Sequence, residues 1–170
     1  MRHSLSFAAM LLAASGASAA DLAVDVEIPS LNVAEYHRPY VALWVERADQ
    51  SVAANLAVWY DLKKSNKEGT KWLQDLRQWW RRSGRELEMP LDAVTSATRA
   101  VGKHKLNFSE GSKPLGRLPA GDYRLAVEAA REVGGREVVY IPFQWPPQKP
   151  LQLKAQGKTE LGTIVLDLKP

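Results

Sequence analysis

The chain has 170 residues, of which 45% are hydrophobic and 25% charged, with a formal net charge of +4 and no cysteine. The lack of cysteine excludes disulfides, thiol catalysis and cysteine-ligated metals, so hydrophobic burial has to hold the fold together. The basic residues are scattered or gathered on one predicted helix, and they form no stripe with aromatic residues between them. This pattern argues against a nucleic-acid partner.

Residues 1–20 have the pattern of a secretory signal peptide. Arg2 supplies the positive start, residues 5–14 form an apolar stretch too short to span a bilayer, and residues 17–19 give a small-residue cleavage site. We therefore expect the mature chain to begin at Ala20 or Asp21 and to lie in the periplasm. Removal of the signal deletes one arginine and no acid, which lowers the formal net charge from +4 to +3.

The remainder, residues 21–170, is expected to form a single β-sandwich domain, since a chain of about 150 residues buries roughly 68–70% of its unfolded surface. Residues 22–28 alternate apolar and polar side chains, as a half-buried strand does. Further short segments are bounded by Pro, Gly or Asn, which is typical of sandwich strands. They are residues 40–45, 54–60, 105–108, 123–127, 138–143, 151–153 and 163–168.

One segment, residues 70–82, has the period of an amphipathic helix instead. Its apolar side chains are Trp72, Leu73, Leu76, Trp79 and Trp80. Gly84 lies just past the predicted end, as a C-terminal cap does, and Arg81 and Arg82 put positive charge in the last turn, where it suits the helix dipole. We expect this helix to lie over an open end or face of the sandwich, with its tryptophans plugging the opening.

A turn of the form L-P-A-G-x-Y-x-L occupies residues 118–125. Pro119 presets a bend and Gly121 permits unusual backbone angles, so that Tyr123, Leu125 and Val127 point inward. Such turns resemble those of secreted immunoglobulin-like and transthyretin-like sandwiches. The sequence therefore predicts a mainly β fold, an immunoglobulin-like or transthyretin-like antiparallel sandwich with one inserted amphipathic helix.

Residues 92–98, D-A-V-T-S-A-T, combine an acid with a run of small residues that ends in Ala-Thr. The run resembles the acceptor motif D-x-x-S/T-G-A-T of flavinylated extracytosolic proteins, in which a dedicated transferase joins the phosphate of FMN to the last threonine. Ser96 stands where the motif has glycine. Its Cβ restricts the left-handed angles and the close approach that glycine allows.

The resemblance implies that Thr98 carries FMN. The candidate cofactor-binding residues are Asp92, Thr95, Ser96, Ala97, Thr98 and Arg99. Asp92 would hold the loop or help the transferase to place its metal, and the guanidinium of Arg99 can pair with the phosphate. A flavin ring also needs an aromatic neighbour, for which the tryptophans are candidates. The alternative is a surface connector whose hydroxyl groups bond to the local backbone.

Three other segments, residues 38–46, 71–81 and 128–137, join this motif in an order and spacing that resembles predicted periplasmic proteins of the "domain of unknown function 2271" family. The resemblance covers nearly the whole mature chain. It implies an association with PepSY-type membrane proteins and with the periplasmic FMN transferase. That association would place the chain in an extracytosolic redox or iron-acquisition system.

The last of these segments contains Gly134 and Gly135, where a tight turn can present Arg131 or Arg136 to an anionic group. Glu128 and Glu132 lie nearby in the sequence. We expect these glutamates and arginines to form charged surface contacts at a strand end.

Other chemistry finds little support in the sequence. The mature chain has two histidines, His37 and His104, which form no ligand pair, so no metal site is predicted. A set of Ser96, His104 and Asp92 lacks the nucleophile elbow of a hydrolase. Two functions stay open. One is a non-catalytic periplasmic electron carrier with FMN on Thr98, and the other is a cofactor-free sandwich that acts as a binding or scaffolding module in the same system.

Overall fold

The computed structural model describes residues 19–170, which form two β-sheets packed face to face. Within these residues the strands are β1 (Asp21–Ile28), β2 (Tyr40–Arg47), β3 (Val52–Tyr60), β4 (Thr95–Ala97), β5 (Gly102–Ser109), β6 (Gly121–Ala130), β7 (Arg136–Trp145), β8 (Leu151–Gln156) and β9 (Thr163–Lys169). Two short helices, α1 (Glu68–Lys71) and α2 (Arg77–Arg82), lie between β3 and β4.

The sheets have four and five strands. The first has the order β5-β1-β9-β8 and is antiparallel throughout. The second has the order β4-β3-β2-β6-β7, in which β4 runs parallel to β3 and the other pairs are antiparallel. This arrangement confirms the predicted mainly β sandwich. Every predicted strand is present, and β4 is an additional one.

The main core lies between the inner faces of the two sheets. Along β1, alternate residues from Leu22 to Ile28 are buried, as the period of two predicts. Val41, Leu43 and Val45 meet them from β2 in the facing sheet. Full burial of such a side chain contributes roughly 1.5–3 kcal/mol, so this layer supplies the cohesion that a chain without disulfides needs.

Tyr123 fixes the turn into β6. Its hydroxyl donates a hydrogen bond to the carbonyl oxygen of Pro119, 2.7 Å away, and its ring stacks on Phe143 with the centroids 5.9 Å apart. A tyrosine bonded to the backbone a few residues upstream is the corner found in immunoglobulin-like sandwiches. The predicted inward direction of Tyr123, Leu125 and Val127 is confirmed, since all three lie in the core.

The helical segment between β3 and β4 covers the outer face of the five-stranded sheet. Leu73, Leu76 and Trp79 are buried there and form a second core. Their buried partners on β2, β3 and β6 are Ala42, Trp44, Val58, Tyr60, Ala126 and Ala130. The segment therefore lies over a face of the sandwich, one of the two positions that the sequence predicts.

This helical segment is not continuous. A tight turn at Trp72–Asp75 separates α1 from α2, and Leu76 has a ψ of 70°, which is outside the helical range. Because the chain bends there, Trp72 and Trp79 do not share a face. Trp79 is fully buried, whereas Trp72 is 48% exposed. The expectation that all the tryptophans plug one opening is therefore wrong for Trp72.

A buried carboxylate stabilises the start of α2. Glu128 of β6 is fully buried and accepts hydrogen bonds from the backbone N–H groups of Gln78, at 3.1 Å, and Trp79, at 2.8 Å. The first N–H groups of a helix have no partner within it, and negative charge suits that end. Arg136 pairs with the same carboxylate at 2.9 Å. The expectation of surface contacts is therefore wrong for Glu128.

The predicted signal peptide falls almost wholly outside the described residues, and its cleavage stays a prediction. Ala20 is 3% exposed, and its carbonyl oxygen accepts a hydrogen bond from the N–H of Glu110 at 2.9 Å. Of the two predicted start points, Ala20 is the one that keeps this contact. In the described part of the chain, no helix has the length and apolar character needed to cross a membrane.

Candidate functional site

The candidate acceptor motif forms an edge strand. β4 runs parallel to the end of β3, with Thr95 opposite Val58 and Ala97 opposite Tyr60. The N–H of Val58 also donates to the carbonyl oxygen of Val94 at 2.9 Å. The strand was not predicted because three small residues show no apolar alternation. The pairing of β4 with β3 fixes the position of Thr98, which directly follows β4.

Thr95 stabilises the turn that leads into β4. Its Oγ1 accepts a hydrogen bond from the N–H of Leu91 at 2.8 Å, and its own N–H donates to the Leu91 carbonyl at 3.0 Å. Ala93 in this turn has a φ of 60°, which is uncommon for a residue with a Cβ. The Thr95 hydroxyl thus bonds to the local backbone, as the alternative reading of the motif expects.

Ser96 lies in the middle of β4, opposite Trp59. Its backbone is extended and has no positive φ, a conformation open to any L-residue. The left-handed angles that favour glycine are not needed at this position. Ser96 therefore replaces the glycine of the motif without backbone strain.

Thr98 lies in the wall of a cleft of about 650 Å³. Cofactor and small-molecule sites have volumes of roughly 300–1,000 Å³. The cleft is lined by His37, Arg38, Tyr40, Asp61, Lys64, Trp72, Asp75, Thr98, Ala130, Arg131, Glu132 and Val133. Of the three residues with a hydroxyl group in the motif, Thr98 is the one that lines this cleft.

One side of the cleft is formed by residues at or directly after the ends of successive strands, namely Thr98, Asp61, Tyr40, Ala130 and Arg131. Tyr60 ends β3 beside β4, Tyr40 begins β2 with its ring centroid 6.2 Å from that of Tyr60, and Ala130 ends β6 opposite Tyr40. Thr98 and Arg131 follow the outer two of these four strands. Three inter-strand spacings of about 4.8 Å therefore separate them, or about 14 Å in all.

The helical segment supplies another wall. Trp72, in the tight turn after α1, lines the cleft with nearly half of its surface exposed. Asp75 of the same turn also lines it. A large aromatic side chain that is open to a cleft can stack on a planar ring. Trp79 of the same segment is instead fully buried and belongs to the second core.

Arg131 is the buried basic group of the cleft. Its side chain is 6% exposed and binds Glu160 through two hydrogen bonds, Nε to Oε2 at 2.9 Å and Nη2 to Oε1 at 3.1 Å. These bonds raise the pKa of the Arg131 guanidinium against the opposing effect of burial, so it stays a cation. Nη1 is buried and has no hydrogen-bond partner among residues 19–170. A buried donor without a partner costs about 1–3 kcal/mol.

The hairpin between β6 and β7 is built around this ion pair. A Cβ at Gly134 would collide with the Arg131 guanidinium, and a Cβ at Gly135 would lie 2.7 Å from Oε1 of Glu160. The N–H of Gly135 also donates to Glu160 at 2.8 Å. At the tip, Val133 has a φ of 52° and is 76% exposed. A β-branched residue with positive φ is an outlier, and such residues cluster at functional sites.

The charged side chains that line the cleft are balanced. They are the cations Arg38, Lys64 and Arg131 and the acids Asp61, Asp75 and Glu132. His37 joins them, with Nε2 2.8 Å from Glu35 and Nδ1 3.8 Å from Glu132. Lys64 lies 3.7 Å from the same Glu132 carboxylate. The lining therefore offers no excess of positive charge for a free phosphate, and it suits an aromatic ligand with a few polar atoms.

Two predicted site residues lie beside this cleft and not in it. Asp92 and Thr95 line a neighbouring cleft of about 620 Å³, which shares Asp61 and Lys64 with the first. The side chain of Asp92 is 86% exposed and its carboxylate is 3.7 Å from Lys113. The motif thus runs between the two clefts, with its acid in one and its last threonine in the other.

Arg99 and His104 both contact Trp59. The Arg99 guanidinium lies 5.3 Å from the centre of the Trp59 ring, and the His104 ring meets it edge-on at 5.8 Å. His104 Nε2 is also 2.8 Å from the carbonyl oxygen of Ala100. Arg99, which the sequence suggests as a phosphate partner, is thus stacked on a tryptophan. Within residues 19–170 no three His, Asp or Glu side chains are grouped as metal ligands.

Sequence reasoning missed two features of the cleft. The sequence predicts Trp72 on a buried helix face, whereas the bend at Leu76 leaves it exposed. Glu160 lies 29 residues from Arg131 along the chain, so their pairing has no local signal. The Gly134-Gly135 turn was the one visible sign that Arg131 has a special position.

Searches of curated proteins and of solved structures found no match. A family model described as "Predicted periplasmic protein (DUF2271)" matches residues 21–163. The matched region begins at β1 and reaches β9, so it includes residues 92–98 and both walls of the cleft. The chain therefore belongs to this family of predicted periplasmic proteins, domain of unknown function 2271.

Proposed function

We propose that this protein is a periplasmic electron carrier with FMN attached covalently to Thr98 and with the flavin ring in the adjoining cleft. The observation that carries the proposal is the position of Thr98. It is the last residue of the acceptor motif, it directly follows an edge strand, and it lines a cleft of about 650 Å³. The family description and the signal-like residues 1–20 support the periplasmic location.

The residues around the cleft fit a flavin. Its volume lies in the range of cofactor sites, roughly 300–1,000 Å³. Trp72 offers an open aromatic face for stacking, and Nη1 of Arg131 is a donor without a partner in residues 19–170. Bound FMN supplies one- and two-electron transfer, and the protein tunes it through packing, hydrogen bonds and charge.

Attachment is a phosphoryl transfer to the Thr98 hydroxyl. Oγ1 of Thr98 attacks the phosphorus of the FMN half of FAD, the bond from that phosphorus to the bridging oxygen breaks, and AMP leaves with this oxygen. The hydroxyl proton passes to a base of the periplasmic FMN transferase, the partner that the family resemblance implies. The pairing of β4 with β3 and the Thr95–Leu91 bonds hold the acceptor in place for this step.

The proposal predicts a specific covalent label. With the transferase and FAD, the protein should gain the mass of one FMN less water on the peptide that contains Thr98. Thr98→Ala should lose the label and keep its unfolding midpoint, because Thr98 belongs to neither core. Ser96→Gly is the matched variant within the motif, and it should be labelled like the parent because Ser96 is already extended.

Two outcomes would favour the cofactor-free binding or scaffolding module. If the parent stays unlabelled under conditions that label a known acceptor, while Ser96→Gly is labelled, the serine has disabled the site. If neither is labelled, the motif is only a connector. A labelled protein would next be tested for electron exchange with a PepSY-type membrane protein, the proposed redox partner.

A further inference from the structure

Arg131 lines the end of the cleft away from Thr98, and its Nη1 is a buried donor without a hydrogen-bond partner among residues 19–170. We propose that Arg131 binds the pyrimidine edge of the flavin ring, and not the phosphate, and thereby raises the reduction potential of the flavin. This inference rests on the proposed function, because the link to Thr98 places the ring in the cleft.

The guanidinium of Arg131 is held in one position. Nε and Nη2 bind the two carboxylate oxygens of Glu160, a two-pronged geometry that a planar guanidinium forms and an ammonium cannot. Gly134 and Gly135 close around this pair with no room for a Cβ. Nη1 therefore has a fixed position and cannot turn to another partner without breaking the pair.

The separation between Thr98 and Arg131 favours the flavin ring, and not the phosphate, as the ligand of Arg131. The phosphate would be bonded directly to Oγ1 of Thr98, and about 14 Å of sheet lies between the strands that Thr98 and Arg131 directly follow. In bound FMN the ribityl chain would separate the ring from the phosphate, so the ring and not the phosphate would be the part within reach of Arg131. Trp72 lines the same cleft and offers the stacking face for a ring placed there.

Charge supports the same assignment. The three cations and three acids that line the cleft leave no net positive field for a phosphate. An oxidised flavin ring is neutral, and its pyrimidine edge gains negative charge on reduction at neutral pH. A cationic donor at this edge therefore binds the reduced ring more strongly than the oxidised ring, which raises the potential.

The first test uses the labelled protein. Arg131→Gln/Glu160→Gln removes both charges together, so neither is left buried and unpaired. Arg38→Gln is the matched control, since Arg38 is an exposed cation of the same lining. Sulfite adds to flavins and places negative charge at the pyrimidine edge, so its affinity reports on the donor. We expect sulfite to bind about tenfold more weakly to the double variant, and the midpoint potential to fall by about 30 mV, the tenfold equivalent for two electrons.

Arg38→Gln should change sulfite affinity by less than about twofold, because an exposed charge is screened by water. If Arg38→Gln weakened sulfite binding as much as the double variant does, the proposal would be overturned. The effect would then reflect the overall charge of the cleft and not a specific donor. Arg131→Lys provides a second variant if the double variant fails to fold. It keeps the charge beside Glu160 and loses the third fixed donor, and it too should weaken sulfite binding.

The second test needs no covalent attachment. Unlabelled Thr98→Ala protein is titrated with riboflavin, which has the ring and no phosphate, and with FMN, and flavin fluorescence is recorded. The Arg131→Gln/Glu160→Gln change should weaken both ligands by about tenfold. Loss of FMN binding alone would show that Arg131 binds the phosphate, which overturns the proposal.

The two tests separate this proposal from the proposed function. An unlabelled Thr98 with Arg131-dependent riboflavin binding refutes the covalent attachment and supports the role of Arg131. A labelled protein whose potential and sulfite affinity are unchanged in the folded double variant refutes the role of Arg131 alone. An unlabelled protein that binds no riboflavin refutes both.

Discussion

At the scale of single residues, the cleft depends on one carboxylate. Glu160 is 5% exposed at its side chain, and it is the acceptor for two donors of Arg131 and for the N–H of Gly135. Arg131 lies in the β6–β7 hairpin, and Glu160 lies in the β8–β9 loop. The buried charge in the cleft wall is therefore paired by a residue from another loop.

We predict that Glu160→Ala lowers the free energy of unfolding by about 3–5 kcal/mol, because it leaves the Arg131 guanidinium buried and unpaired. Arg131→Gln/Glu160→Gln should cost less, since no lone charge remains. Denaturant titration measures both. Glu132→Ala, an exposed acid on the same hairpin, is the control and should stay within about 0.5 kcal/mol of the parent. Equal losses for Glu160→Ala and the control would show that the pair is not structural.

Part of the site follows from the sequence at this scale. The motif predicts Thr98 as the candidate acceptor, and the Gly134-Gly135 turn predicts that Arg131 or Arg136 is presented to an anionic group. Of these residues, Thr98 and Arg131 line the cleft. The stacked position of Arg99 and the partnership of Arg131 with Glu160 could not be predicted, because both depend on contacts between residues brought together by the fold.

At the scale of elements, α2 joins the helical segment to the sheet. Trp79 is fully buried, its Nε1 donates to the side-chain oxygen of Asn55 at 2.8 Å, and a Cβ at Gly84 would press on its ring. Glu128 caps the helix from below. These contacts make α2 part of the second core.

We predict that Trp79→Ala and Leu76→Ala each lower the free energy of unfolding by roughly 2–5 kcal/mol, the range for emptying a large apolar core site. Trp72→Ala is the matched control from the same segment, and it should have a small effect on stability because the side chain is 48% exposed. Denaturant midpoints compare the three variants. If Trp79→Ala matched the parent, the helical segment would be peripheral to the fold.

The elements differ in how well the sequence predicts them. Strands such as β1 are visible because one face is buried and the other is not, which imposes a period of two. The break at Leu76 was hidden, since the apolar spacing from Trp72 to Trp80 fits a straight helix equally well. β4 was hidden because an edge strand of small residues needs no apolar face.

At the scale of the whole molecule, Glu137 connects the two sheets. It lies on β7 of the five-stranded sheet, and its carboxylate accepts backbone hydrogen bonds in the β8–β9 loop from Thr159 at 2.9 Å, Glu160 at 2.9 Å and Leu161 at 3.0 Å. Burial alone would raise the pKa of Glu137, but these N–H donors outweigh it and hold the pKa below its ordinary value of 4.5.

This depressed pKa predicts a loss of stability in acid. Since the folded pKa of Glu137 is below the unfolded one, its contribution is complete above pH 4.5 and is lost as the pH falls through the folded value. Denaturant midpoints measured from neutral pH down to below the ordinary pKa should fall more steeply for the parent than for Glu137→Gln, which has no carboxylate to protonate. Glu86→Gln, on an exposed turn, should follow the parent. Identical slopes for parent and Glu137→Gln would contradict this account.

The sequence predicts the sandwich class, but it does not predict which strands pair. Alternation tells which face of a strand is buried, and the Tyr123 turn points to a sandwich. The order β4-β3-β2-β6-β7 arises from long-range packing, and it is this order that places Thr98 and Arg131 on one cleft.

The edge position of β4 bears on how the protein can change over time. Among residues 19–170, none of its three residues belongs to either core, and β3 is the one strand that pairs with it. Substitutions at these three positions can therefore accumulate at the rim of the sheet while both cores are inherited intact. If Thr98 carries the proposed flavin, the residues that lead to it can change without loss of the sandwich.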